Sequence, residues 1–403
     1  MLNDAINEDL TDLENQEEKA VKKNAMPRNF DSFADARKQG FINMKKLKDE
    51  GAKVVGKFCT YTPSEIILAA GAIDVSLCST GDETIPDAEE ILPKNLCPLI
   101  KSSYGFAITD KCPYMYFADL VVGETTCDGK KKMFELLGEI KDVHVMQLPY
   151  GQQGRALDSW EHEMYVLKEK LDEKFNVTIS EDDLKRAIKD KNKERTALID
   201  FYNMSKLCPP PMWGLNQLQV LFGSQFKFDI DEKTKEIEDK TKEVLAAYEK
   251  GERVVPDSAK RILLTGCPTG GVTEKVVKAI EASGGVVVAY ENCTGAKQME
   301  NLVDENIDPM RAIAERYLAI GCSVMSPDNN RYELLKRLCE DFKVDGVVEM
   351  TLQACHTYAI ETTYVKRELD KMEIPYINIE TDYSTSDIGQ ITTRMEAFIE
   401  MLD

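Results

Sequence analysis

Eleven cysteines in a chain of 403 residues, at positions 59, 78, 97, 112, 127, 208, 267, 293, 322, 339 and 355, are the residues whose type and placing point to chemistry. No two of them form a C-x-x-C pair, so zinc ribbons and thioredoxin-like motifs find no support, and any metal must draw its ligands from loops far apart along the chain. The thiols divide by where they stand relative to the apolar runs. Cys78 closes a strand pattern and Cys339 lies in the helical run YELLKRLCEDF; both read as small hydrophobes of the core, the commoner fate of a free cysteine. Cys127, Cys267, Cys293 and Cys355 each follow a strand-like run (ADLVVGETT, RILLTG, VVVAYEN and GVVEMTLQA), and Cys97 and Cys322 sit beside turn-forming prolines in LPKNLCPLIKSS and LAIGCSVMSP. The intervals of 26, 29 and 33 residues between 267, 293, 322 and 355 each match one strand-helix unit, which returns every thiol to the same rim. Thiolates gathered on several loops select zinc, copper(I) or iron-sulfur clusters. A structural zinc wants close-spaced pairs, whereas iron-sulfur clusters accept cysteines from scattered loops. The six read best as iron-sulfur ligands; ordinary packing explains any one of them more easily than all six on one edge.

The stretch RILLTGCPTGGVTEK, residues 261–275, also has the look of a phosphate loop. Gly266 and Gly271 stand at P-loop separation, but Val272 replaces the lysine that grips phosphate, and no G-x-G-x-x-G is present. Nucleotide binding here is weakly supported. The glycines are expected instead to let backbone pass close to a bulky group.

The elements that must position these thiols follow from hydrophobic patterning. AKVVGKFC, AIDVSLC, ADLVVGETTC and VHVMQLPY read as strands, with helices TPSEIILAAG and KKKMFELLGEI between them. RILLT, GVVVAY, VDGVVEM and IPYINIE form a second set, separated by TEKVVKAIEASG, PMRAIAERYLAIG, NRYELLKRLCEDF and YAIETTYVKRELDKM. Alternation of strand and helix predicts parallel sheets. The fold class is α/β: two doubly wound, Rossmann- or flavodoxin-like domains with helical additions, whose ligands bind beyond the carboxyl ends of the strands. The expected division is an N-terminal helical arm over 1–50, a first α/β domain over 51–150, a helical region over 151–257 in which Ser180 caps a helix, and a second α/β domain over 258–403.

Composition narrows the rest. A net charge of −20 opposes binding to nucleic acid or to anionic membrane through a general electrostatic footprint. No uncharged apolar run of about 18 residues occurs, and the acidic opening MLNDAINEDLTDLENQEEKA has no signal-peptide core. A cytoplasmic protein is expected, with thiols kept reduced.

In order and spacing, GKFCTYTPSEIILAAGAIDVSLC, LPKNLCPLIKSSYG, DLVVGETTCDGKKKMFELL and VDGVVEMTLQACHTYAIET resemble the 2-hydroxyacyl-CoA dehydratase family over most of the chain. The resemblance implies a 4Fe-4S cluster in the cleft between two α/β domains, held by Cys97, Cys127 and Cys355. The additional Cys267, Cys293 and Cys322 resemble the double-cubane branch, in which two 4Fe-4S cubanes share a bridging sulfide (8Fe-9S) and each takes three cysteines. Cys59 and Cys112 are the first replacements if one of the six is not a ligand. The same resemblance implies a separate iron-sulfur ATPase as electron-delivering activator, homodimerisation, and reduction of small unsaturated or nitrogen-bonded molecules such as acetylene, hydrazine or azide. The alternative is a dehydratase subunit with a single 4Fe-4S cluster, a radical lyase. Candidates for proton transfer are His356, beside Cys355, and Glu124, Glu291 and Glu349, each shortly before a proposed ligand. A surface carboxylate, or a histidine satisfied by backbone, is as good an account of each, and His144 and His162 read as structural or exposed.

Overall fold

The computed structural model describes residues 29–79, 81–267 and 271–402. Most of the N-terminal arm read from the sequence therefore lies outside the described residues; its end forms the helices Asp31–Ala34 and Ala36–Asp49. Eight strands occupy the eight apolar runs: β1 (Lys53–Lys57), β2 (Ala72–Ser76), β3 (Leu120–Glu124), β4 (Val143–Met146), β5 (Lys260–Gly266), β6 (Gly285–Tyr290), β7 (Gly346–Leu352) and β8 (Tyr376–Thr381). They form two parallel four-stranded sheets, ordered β2-β1-β3-β4 and β6-β5-β7-β8. The fold is α/β and doubly wound, as the alternation of strand and helix predicts.

The strands explain their own positions. β3, β6 and β7 are buried along their whole length and β5 nearly so, as expected of parallel strands covered by helices on both faces. In each sheet the chain reverses its winding direction between the two central strands, β1 and β3 or β5 and β7, and the crevice that opens at such a point is where ligands bind in this architecture.

Between the sheets run the helices Ala156–Phe175, Glu181–Asn203, Gly214–Gly223 and Ile230–Glu249. Ser180 caps the second of these in a reciprocal arrangement with Asp183. These helices pack on both halves. Trp160, Met164, Leu167 and Leu171 share a core cluster with Tyr61 of the first half and Tyr317 of the second. Polar contacts tie the halves together: the Tyr61 hydroxyl donates to the Ile320 carbonyl at 2.8 Å, and the Tyr383 hydroxyl to the Ser79 carbonyl at 3.0 Å.

Candidate metal centre

Loops leaving the carboxyl ends of β1, β2, β3, β6 and β7 line one cavity of about 520 Å³. Cys59, Cys78, Cys97, Cys127, Cys293, Cys322 and Cys355 all line it, and each is a free thiol. How far a cysteine stands beyond its strand decides whether it arrives. Cys59 and Cys78 follow β1 and β2 by two residues, and Cys127, Cys293 and Cys355 follow β3, β6 and β7 by three. Cys267 is the first residue past β5 and stays on the sheet: its N–H donates to the Met350 carbonyl at 2.7 Å and its sulfur accepts from the Leu352 N–H at 3.2 Å. It does not line the cavity, although it hydrogen-bonds Cys355 from behind. Cys112 lies in a separate recess against Tyr114 and Phe226. Of the sequence-predicted six, five thus meet at the cavity and Cys267 abuts it. Cys78, expected to be a core residue, is in the lining.

Cys97, Cys127 and Cys355 share one local design: each is the N-cap of a helix, Pro98–Ile108, Asp128–Leu137 and His356–Lys371 respectively. A helix start presents unpaired N–H groups and the positive end of the dipole, which favour a thiolate. The Cys127 sulfur already accepts from the Lys130 N–H at 3.5 Å. Hydrogen bonds from Cys267 and Cys97 hold the Cys355 thiol well below its ordinary range. Ala354, at φ +57, turns the chain sharply to bring Cys355 round. Gly266 has φ +106, and a Cβ there would stand 2.1 Å from the Met350 carbonyl. That glycine makes room for β7 rather than for a ligand, a correction to the sequence reading; residues 268–270 of the same loop lie outside the described residues.

Cys59, Cys293 and Cys322 form a second group. Burial, joined by the charges of Glu124 and of the other two thiols, raises the Cys59 thiol well above its ordinary range. Burial pushes Cys293 up to about 11, with the Lys297 ammonium opposing. The Cys322 sulfur lies 3.8 Å from the Tyr358 hydroxyl, which accepts from Lys297 Nζ at 3.1 Å and so has its proton free for the sulfur. Gly295 is required where this loop folds back, since a Cβ would meet the Tyr290 carbonyl at 2.0 Å.

Two ammonium groups stand beside the thiols. Lys130 acts on Cys59, Cys78 and Cys127, and Lys297, 3% exposed, acts on Cys293 and Cys322. Among the described residues no three His, Cys, Asp or Glu side chains converge as they would around a single ion. The thiols instead surround a space. Soft donors on a roomy cavity, with cations placed to offset thiolate charge, fit an iron-sulfur group better than one zinc ion.

The proton-transfer candidates are placed differently. His356 is exposed and lines the cavity. Glu124, Glu291 and Glu349 are completely buried and lie behind the lining. Burial pushes Glu124 up to about 7 against the hydrogen bond from Thr62. Glu291 is held down to about 2 despite burial, by Lys297 at 2.9 Å and Arg331 at 3.3 Å. Glu349 is bound by Arg331 at 3.0 Å and by the Tyr376 hydroxyl at 2.6 Å. Glu291 and Glu349 are therefore parts of a structural ion network beneath the second sheet.

The sequence profile of the family described as 2-hydroxyglutaryl-CoA dehydratase, D-component, matches residues 59–402. The chain belongs to this family. It is 54% identical over 381 residues to YjiM of Escherichia coli (strain K12), provisionally named a dehydratase subunit, covering 94% of this chain and 98% of that one. It is 23% identical to the (R)-phenyllactyl-CoA dehydratase beta subunit of Clostridium sporogenes, over 89% of this chain and 94% of the relative. One of the benzoyl-CoA reductase subunits of Thauera aromatica is 22% identical over 89% of this chain and 92% of its own. Dehydratases and a reductase are thus both among the relatives of this dehydratase-family component.

Proposed function

We propose that this chain is a cytoplasmic iron-sulfur reductase of the dehydratase family that holds a double-cubane cluster. The observation that carries the reading is the number of thiols on one cavity: seven line it, more than the three that one open cubane takes from protein. Cys97, Cys127 and Cys355 hold one cubane; Cys59, Cys293 and Cys322 hold the other, with Cys59 taking the place that the sequence reading gave to Cys267. When bound, the cluster supplies low-potential electrons delivered by a separate iron-sulfur ATPase activator, and a homodimer reduces small unsaturated or nitrogen-bonded molecules such as acetylene. The protein's own part is to hold the thiolates, to offset their charge with Lys130 and Lys297, to orient Cys322 through Tyr358, and to place the exposed imidazole of His356 at the cavity as a proton carrier.

The second reading, a dehydratase subunit with one 4Fe-4S cluster, is favoured by the relatives' names, and it makes Cys293 and Cys322 packing residues. Iron and sulfide analysis after anaerobic purification separates the two, with about eight irons per chain expected for the first and about four for the second. Cys293→Ser is expected to lose iron and change the visible spectrum. An unaltered spectrum removes Cys293 from the ligand set, and with it the second cubane.

A further inference from the structure

Away from the thiols the same cavity is lined by Lys57, Lys191, Arg195, Lys233 and Arg316. Their carboxylate partners are too few. Lys57 pairs with Asp74, Lys191 and Lys233 share Glu194, and Arg195 pairs with Glu65 at 2.6 Å. Among the described residues Arg316 donates to the carbonyls of Asn301 and Gln298 and to no carboxylate. With Lys227, which also lines the cavity and pairs with Glu236, six cations stand against four carboxylates among the described residues, a surplus of two positive charges in a chain whose net charge is −20. Arg195, Lys233 and Arg316 are each 8% exposed or less, so water and salt do little to offset that surplus. Burial lowers the pKa of Lys233 in spite of Glu194, and burial with the neighbouring Arg195 charge brings Arg316 down to about 10. Both shifts are those of cations short of counter-charge.

We propose that this basic end of the cavity binds a compact oxyanion of charge about −2, such as a small dicarboxylate or a phosphate. A ligand anchored there lies in the same cavity as the thiols, and it is this anchoring position, not the thiol end, that selects anionic over neutral molecules. The inference does not depend on which cluster the thiols hold.

Glu194 makes the test practical. Because two lysines serve it, Lys191→Met or Lys233→Met alone leaves it paired, and the fold is expected to survive, as circular dichroism can verify. The anaerobically purified full chain is titrated calorimetrically with succinate, inorganic phosphate, uncharged succinamide and coenzyme A. Succinate or phosphate should bind the wild type, succinamide should not, and each lysine variant should weaken the anion about tenfold or more with its iron content unchanged. The proposal is overturned if neither anion binds at millimolar concentration, if the variants bind as well as wild type, or if coenzyme A alone binds. Loss of iron from natively folded variants also overturns it, because the cations would then serve the cluster. A low iron count in the wild type with anion binding intact sinks the cluster reading and leaves this one standing.

Discussion

Cys59 and Cys267 follow the corresponding strands β1 and β5, yet one additional residue of loop gives them different surroundings. Cys59 reaches the cavity and feels the charges of Cys293 and Cys322, whereas Cys267 is completely buried and bound to the edge of β7. Cys59→Ser is therefore expected to lose about half of the bound iron. Cys267→Ser should keep its iron and show a lower unfolding temperature, from the hydroxyl placed where a sulfur packed. Iron analysis and visible spectra of the two variants decide the matter, and equal iron loss in both would return Cys267 to the ligand set. The residues themselves carry part of this outcome: GKFC and VSLC end in the same way, with the thiol two residues past the strand. Reading Cys78 as core while allowing Cys59 as a replacement ligand treats equivalent positions differently. Hydrophobic patterning places a strand but fixes its last residue only loosely, and that single residue separates a thiol on the sheet from one in the cavity.

At the scale of elements, all eight strands and the long amphipathic helices are legible in the sequence because their periodicity is strong. The helix Gly214–Gly223, GLNQLQVLFG, gives no comparable signal: its apolar residues are not confined to one stripe, and even Gln217 is completely buried. What seats it is specific contact. The Tyr290 hydroxyl donates to the Gly214 carbonyl at 2.8 Å, a Cβ on Gly214 would stand 2.4 Å from the Val287 carbonyl, and Glu281 accepts the Leu215 N–H at 3.2 Å. Burial there pushes the Glu281 carboxyl up to about 7, against the backbone donors that favour its charged form. Because the folded pKa lies above the unfolded one, the folded state holds more protons between about pH 4.5 and 7, and stability falls as pH rises through that window. The full difference is on the order of 3 kcal/mol. Glu281→Gln removes this contribution while keeping a carbonyl oxygen for Leu215. The unfolding temperature of the variant relative to wild type should therefore rise between pH 5 and pH 8. A difference that stays constant across that range would mean Glu281 does not carry the proton.

Across the whole molecule, the thiols come from both halves of the chain: Cys59, Cys78, Cys97 and Cys127 accompany the first sheet, and Cys293, Cys322 and Cys355 the second. We propose that the two sheets are separate domains, as the sequence division at 51–150 and 258–403 expects. A group bound by thiols of both then acts as a cross-link added to direct ties such as Tyr61 to Ile320 and Tyr317 to Glu65. Anything that binds the folded arrangement and not the unfolded chain stabilises it by mass action, and here the stabilisation falls on the junction between the halves. Iron-loaded protein melted anaerobically should unfold in one transition. After chelation the same protein should begin to unfold about 5 °C or more lower, with the transition broadened as the halves lose their common anchor. Tryptophan fluorescence and far-ultraviolet circular dichroism should give coincident melting curves in the loaded sample and separate only in the chelated one. Superimposable melts before and after iron removal would mean that the thiols of the two halves do not grip one shared group, whatever their proximity.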